Sequence, residues 1–125
     1  MANARAGHVQ LVSAPDKYVV IGGHENDFLL TTTTENFNTS IKAWQPVSSA
    51  DNRDMSFVAK LNNGNYLIGG GCSSSLGVGL LATTEIYDPV DISFTAVASM
   101  NVTRTNVCAA TLKDGRVLVV GNGNN

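Results

Sequence analysis

The residues best equipped for chemistry in this chain are three arginines and two histidines. Arg5, Arg53 and Arg104 recur at spacings of 48 and 51, and each stands about thirteen residues before an apolar run that opens on Tyr or Val. A guanidinium binds carboxylate or phosphate bidentately, so an arc of three at one mouth of a ring would capture an anionic group. The alternative role is structural. Each arginine would tie one repeat to the next through backbone carbonyls and carboxylates, and the repetition itself favours that role. His8 and His24 are the only histidines. Acid–base or metal chemistry would need partners converging on them, and neither recurs in the other repeats. No catalytic residue, metal-ligand set or cofactor is therefore assigned.

The arginines mark the phase of an internal repeat of about 50 residues, visible elsewhere in the chain. Thr33-Thr34-Glu35-Asn36-Phe37-Asn38 aligns with Thr83-Thr84-Glu85-Ile86-Tyr87-Asp88 at an offset of 50, and the match continues through Trp44 with Phe94. Tyr18-Val19-Val20-Ile21-Gly22-Gly23 aligns with Tyr66-Leu67-Ile68-Gly69-Gly70-Gly71, and that in turn with Val117-Leu118-Val119-Val120-Gly121-Asn122. The runs are short and rich in Val, Ile, Thr, Tyr and Phe, and none carries a helical apolar period. They read as strands.

Each unit holds four. The first strand spans His8–Ser13, Ser56–Leu61 and Val107–Leu112; the second spans Lys17–Gly22, Asn65–Gly70 and Arg116–Gly121. Asn63-Gly64 and Asp114-Gly115 predict two-residue hairpins with positive φ at both central positions. Third strands fall at Thr32–Phe37 and Thr83–Tyr87, fourth strands at Lys42–Val47 and Ser93–Val97, with Asp88-Pro89 marking the turn between them. The spacing of seven between Phe37 and Trp44, and between Tyr87 and Phe94, suits aromatic side chains wedged between neighbouring sheets. The loops after the second strands, His24–Leu30 and Cys72–Leu81, differ in length and sequence while the strands do not, so recognition belongs there. His24, Glu25, Asn26 and Asp27 give the first loop a polar, acidic character that suits a polar partner. The alternative is a solvated connector.

Four antiparallel strands per repeat of this length are the mark of a β-propeller blade. The pattern resembles the kelch repeat in its closing glycine pairs (Gly22-Gly23, Gly70-Gly71), its Thr-Thr-Glu-x-aromatic stretches and the aromatic seven residues on. Ser99 to Arg104 and Lys113 to Gly121 are similar to the kelch repeats of bacterial and galactose-oxidase-like proteins. The resemblance implies an all-β, incomplete ring of about two and a half blades: 1–49, 50–100 and a half blade at 101–125. Asn122 replaces the second glycine of the last unit, Phe94 stands where tryptophan is usual, and Asn38 replaces the Asp of the Asp-Pro turn. Likeness to galactose oxidase would imply a copper site of tyrosines, histidines and a cross-linked cysteine, and no such set can be matched residue by residue here.

The chain has 125 residues, of which 43% are hydrophobic and 14% charged, with a net charge of −2. It should bury a core, and it lacks the basic footprint of a nucleic-acid or anionic-membrane partner. Leu61 to Thr84 carries no charge, but Gly69-Gly70-Gly71 and Ser73-Ser74-Ser75 rule out a lipid span, and no Gly-Lys-Ser/Thr follows to make a phosphate loop. The N-terminus has no apolar run that could act as a signal-peptide core. Cys72 and Cys108 read as small buried hydrophobes. The preferred function is a non-catalytic binding module recognising a protein or glycan through rim loops. Two alternatives stay open: a piece of a galactose-oxidase-like, carbohydrate-active enzyme with catalytic residues outside this chain, and a structural piece that completes a ring with copies of itself or with missing blades.

Overall fold

A computed structural model describes residues 4–25, 29–31, 33–47, 51–74 and 78–123. They form ten strands and no helix. The first sheet runs in chain order through β1 (Val9–Ala14), β2 (Lys17–Ile21), β3 (Thr34–Asn38) and β4 (Ala43–Val47). The second repeats that order with β5 (Phe57–Lys60), β6 (Tyr66–Gly69), β7 (Thr84–Asp88) and β8 (Ser93–Val97). A third sheet has two strands, β9 (Arg104–Thr111) and β10 (Val117–Gly123). Every pairing is antiparallel between neighbours in sequence. β1 lies against β5 and β5 against β9, so the sheets stand side by side as propeller-like blades of an open ring.

Turn chemistry departs from expectation in one respect. Gly64 and Gly115 alone take positive φ, +94° and +88°, while Asn63 and Asp114 do not. Gly64 N–H donates to Leu61 C=O and Leu61 N–H to Asn65 C=O, with the same pattern repeated from Leu112 to Arg116. This is a three-residue hairpin closed by a left-handed glycine rather than the two-residue turn. The Asn63 and Asp114 side chains instead accept from the backbone N–H two residues on. Asn38 and Asp88 act alike at the β3–β4 and β7–β8 turns, each accepting from two following N–H groups, so the amide in place of the carboxylate leaves that turn intact.

The core sits between sheets. Leu11, Val19 and Ile21 of the first meet Tyr66, Ile68 and Tyr87 of the second, with Val9, Val58 and Phe94 packed around them. The seven-residue aromatic spacing proves to be a cross-strand pair: Phe37 faces Trp44 at 5.1 Å between ring centres, and Tyr87 faces Phe94 at 4.9 Å. Polar bonds seal the two junctions at equivalent carbonyls, Tyr66 Oη donating to Val12 C=O and Thr111 Oγ1 to Lys60 C=O. At the ends of the arc the same positions are open. Tyr18, the counterpart of Tyr66, is 44% exposed. Cys108 is exposed, against the expectation from its residue type, whereas its repeat mate Phe57 is buried. Strand alternation turns Phe57 away from the Val58 side toward β9, while the corresponding side of β9 and β10, with Leu118 and Val120 also exposed, has no sheet against it among the described residues.

Backbone links between blades explain the glycine pairs. Gly23 N–H donates to Arg53 C=O and Gly71 N–H to Arg104 C=O, at 3.0 and 2.6 Å. A Cβ on the preceding glycine, Gly22 or Gly70, would collide with that same arginine carbonyl, and both sit at positive φ. Nearer the axis, Met55 N–H donates to Gly7 C=O and Asn106 N–H to Met55 C=O, carrying one ladder across three blades.

Gly70→Ala should therefore cost at least about 2 kcal/mol, because it adds a backbone collision to the φ strain, whereas Gly64→Ala, with open space around it, should cost about 1 kcal/mol. Urea denaturation of the two variants beside the parent checks the difference. Burial, then the Asp88 carboxylate and Tyr66, raises the Tyr87 phenol above its ordinary value of 10.0. The fold thus favours the protonated phenol. Its contribution is fully present below pH 10 and is lost as pH rises through the folded value. Alkaline stability curves should fall in that window, and Tyr87→Phe should flatten the fall.

Candidate functional site

One end of the arc collects the segments that lead into the first strands and the loops that leave the second strands. There the loop folds back on itself in both complete blades, His24 bridging Ala6 and Leu30, and Cys72 bridging Asp54 and Leu80. Arg5, Arg53, His24 and Glu25 all lie at this end, as does Arg104. Asn26 and Asp27 lie outside the described residues.

The arginine side chains turn into their own blades. Arg5 Nη1 donates to Gly22 C=O at 3.3 Å and to Thr33 C=O at 2.7 Å, Nη2 reaches Thr33 Oγ1, and the Glu35 carboxylate stands 3.4 Å away. Arg53 repeats the arrangement: Nη1 to Gly70 C=O at 2.9 Å and Thr83 C=O at 3.1 Å, Nη2 to Glu85 Oε2 at 2.9 Å. Asp51 adds an exposed carboxylate 3.4 Å from Nη2 of Arg53, and its backbone N–H donates to Glu85. Both guanidinium side chains are wholly buried. Among the described residues Arg104 keeps only the first of these contacts, Nη1 to Gly121 C=O at 3.0 Å, and is partly exposed. Glu35 and Glu85 were not singled out as partners from sequence. The available signal was their recurrence in the Thr-Thr-Glu stretch, in phase with the arginines.

His24 has a partner that no spacing announced. Its Nδ1 lies 3.0 Å from Oδ2 of Asp54, whose side chain is fully buried and whose Oδ1 accepts from Met55 N–H. Asp54 belongs to the second blade and His24 to the first, so the pair crosses a junction. Room for the carboxylate exists because Gly7 has no Cβ. At the next junction the same two positions hold Cys72 and Thr105, whose Sγ and Oγ1 are 4.0 Å apart. The His–Asp pair is thus a substitution for a bland contact, and the absence of a repeat at Asp54 is why sequence reading passed over it. His24 and Glu25 line a depression of about 270 Å³ with Ala4, Arg5 and Ala6. His8 lies just before β1, its Nδ1 buried without a described partner.

The depression is thus lined by an imidazole and a carboxylate. Among the described residues no cluster of three or more His, Cys, Asp or Glu could hold a metal ion. No protein-family model and no curated protein matches the sequence. Solved structures do match, 133 chains in all. One is a fungal alcohol oxidase of the AA5 family solved in complex with copper: TM-score 0.83, 18% identity, covering 95% of this chain and 27% of that one. The chain therefore spans about a quarter of the length of that oxidase and shares its sheet-rich fold over this stretch.

Removing one buried ion without its partner should expose how much the blades rely on the arginines. Arg53→Met is expected to destabilise the fold by about 3–5 kcal/mol, since Glu85 then stays buried with no cation, and adding Glu85→Leu should recover part of the loss. Arg104→Met, at a partly exposed and singly bonded site, should cost less than about 1 kcal/mol. Thermal and chemical denaturation of the variants decide the order.

Proposed function

We propose that this chain is an arc of kelch-type propeller blades serving as a non-catalytic binding scaffold, with a polar partner, glycan or protein, received at the rim by the first loop. The observation that carries this reading is the depression lined by His24 and Glu25, backed by the buried Asp54. An imidazole and a carboxylate side by side suit the hydroxyls of a sugar or the polar groups of a protein loop. The scaffold beneath them is fixed by cross-blade bonds, so little ordering is needed on binding. Arg5 and Arg53 enter this reading as supports of the rim.

A second reading is favoured by the structural likeness to the copper-bound alcohol oxidase. In it, this arc belongs to an oxidase whose copper ligands lie outside the described residues. The residues at hand do not make a copper site: among the described residues no third His, Cys, Asp or Glu gathers with a pair of such donors to hold a metal ion. No step of an oxidation is therefore routed through this site.

A glycan array, followed by calorimetry on any hit, tests the first reading. Binding should fall about tenfold or more in His24→Ala and Glu25→Gln, with circular dichroism unchanged. Absence of binding, together with copper uptake and alcohol turnover by the full-length gene product, would replace the first reading with the second.

A further inference from the structure

The turn between β5 and β6 holds an Asn-Gly step, Asn63-Gly64, in the middle of the chain. Such a step is chemically reactive, because a glycine nitrogen with no neighbouring side chain can close onto the carboxamide carbon of the asparagine before it. Asn63 is exposed, and a Cβ added at Gly64 would meet nothing within 4 Å, so water and the ring closure both have room. Leu61 C=O accepts Gly64 N–H at 3.0 Å while Asn62 and Asn63 keep negative φ, which makes Leu61 to Gly64 a type I turn with Asn63 in its third position. The Asn63 Oδ1 accepts Asn65 N–H at 3.1 Å. Both reacting groups are therefore engaged, the nitrogen by Leu61 and the carboxamide by Asn65, and closing the ring breaks both bonds. The repeat adds a second observation. In the equivalent turn of the third sheet a carboxylate already stands where the amide is, Asp114 Oδ1 accepting Arg116 N–H at the same 3.1 Å. This hairpin accommodates the acid as it does the amide.

We propose that Asn63 is a self-modifying site: the chain converts its amide to aspartate or isoaspartate, the folded hairpin holds that reaction back, and the isoaspartyl product slackens the junction between the first two blades. The Gly64 nitrogen, having lost its proton to solvent, attacks Asn63 Cγ. The N–Cγ bond forms, the Cγ–Nδ2 bond breaks and ammonia leaves. Water then opens the cyclic imide at one of its two carbonyls. Cleavage of the new N–Cγ bond gives aspartate, and cleavage between the nitrogen and the original main-chain carbonyl gives isoaspartate. One water is consumed and one ammonia released. Aspartate keeps the turn, as Asp114 does in its own hairpin. Isoaspartate routes the main chain through Cβ and Cγ, which adds an atom between Leu61 and Asn65, the two residues that Leu61 N–H and Asn65 C=O join at 2.7 Å. The next pair along the ladder is Lys60 with Tyr66. Tyr66 is the residue whose hydroxyl donates to Val12 C=O in the neighbouring blade, so a displaced turn reaches a contact between blades.

The intact chain is aged in mildly alkaline buffer, with and without denaturing urea, and followed by peptide mapping in a mass spectrometer, with isoaspartyl methyltransferase labelling to count the rearranged product. Mapping separates Asn63 from Asn122-Gly123, the other Asn-Gly step. Conversion at Asn63 is expected in both conditions, about tenfold or more slower in the folded chain because two hydrogen bonds must open first. Asn63→Asp should unfold at the same urea concentration as the parent, and the purified isoaspartyl chain at a lower one than either. In a Tyr66→Phe background, where the hydroxyl is already gone, isoaspartate should cost less stability than in the parent. No conversion at Asn63, or a folded rate equal to or above the rate in urea, would overturn the proposal. So would a destabilised Asn63→Asp, an isoaspartyl chain as stable as the parent, or an undiminished loss in Tyr66→Phe.

Discussion

One residue type recurs at both blade junctions with its side chain in one blade and its carbonyl against the blade before. The Arg53 guanidinium is buried in its own blade against Gly70, Thr83 and Glu85, while the same residue's carbonyl accepts Gly23 N–H from the blade before. A guanidinium cannot be buried cheaply, and the acceptors that its two Nη groups find come from the end of one strand and the start of the next. That fixes the height and tilt of the segment leading into β5. The carbonyl on the other side can approach the preceding blade only where Gly22 leaves its surface bare. Charge, strand order and glycine placement are thus one constraint seen from three sides.

The rim inherits its shape from this junction. His24 is held by Ala6 on its backbone and by Asp54 on its ring, both of them neighbours of the arginines in sequence. Where His24 meets Asp54 at one junction, Cys72 meets Thr105 at the next, with the surrounding backbone bridges conserved in form. A scaffold that tolerates such exchange can vary its rim chemistry while its strands stay under packing control. The same architecture recurs in an oxidase at 18% identity, a likeness that carries the fold alone.

Much of the fold was legible in the residues because the repeat states it more than once. The Tyr/Val runs, the Thr-Thr-Glu stretches and the glycine pairs each placed a strand within a residue or two of its observed bounds. The turn at Asn63-Gly64 was legible as a turn but not in its type, since the dipeptide serves both a two-residue hairpin and a three-residue one closed by glycine. Cys108 was misjudged, because composition reports how often a residue type is buried and not whether a neighbouring sheet covers this face of β9. The site was less legible still. His24 and Glu25 stood out as polar residues in a variable loop, but Asp54 has Ala6 and Thr105 as its repeat mates and so left no periodic trace.

The sequence by itself determined the strand pattern, the period of about 50 residues and the phase of the arginines, because local propensity and repetition are properties of the chain alone. Only the tertiary structure decided what those arginines touch and which residue faces His24. Thr83 and Glu85 lie 30 and 32 positions from Arg53, and Asp54 lies 30 from His24. Contacts at that separation are set by how sheets stack and where a missing Cβ lets backbones close, and no reading of spacing along the chain contains that geometry.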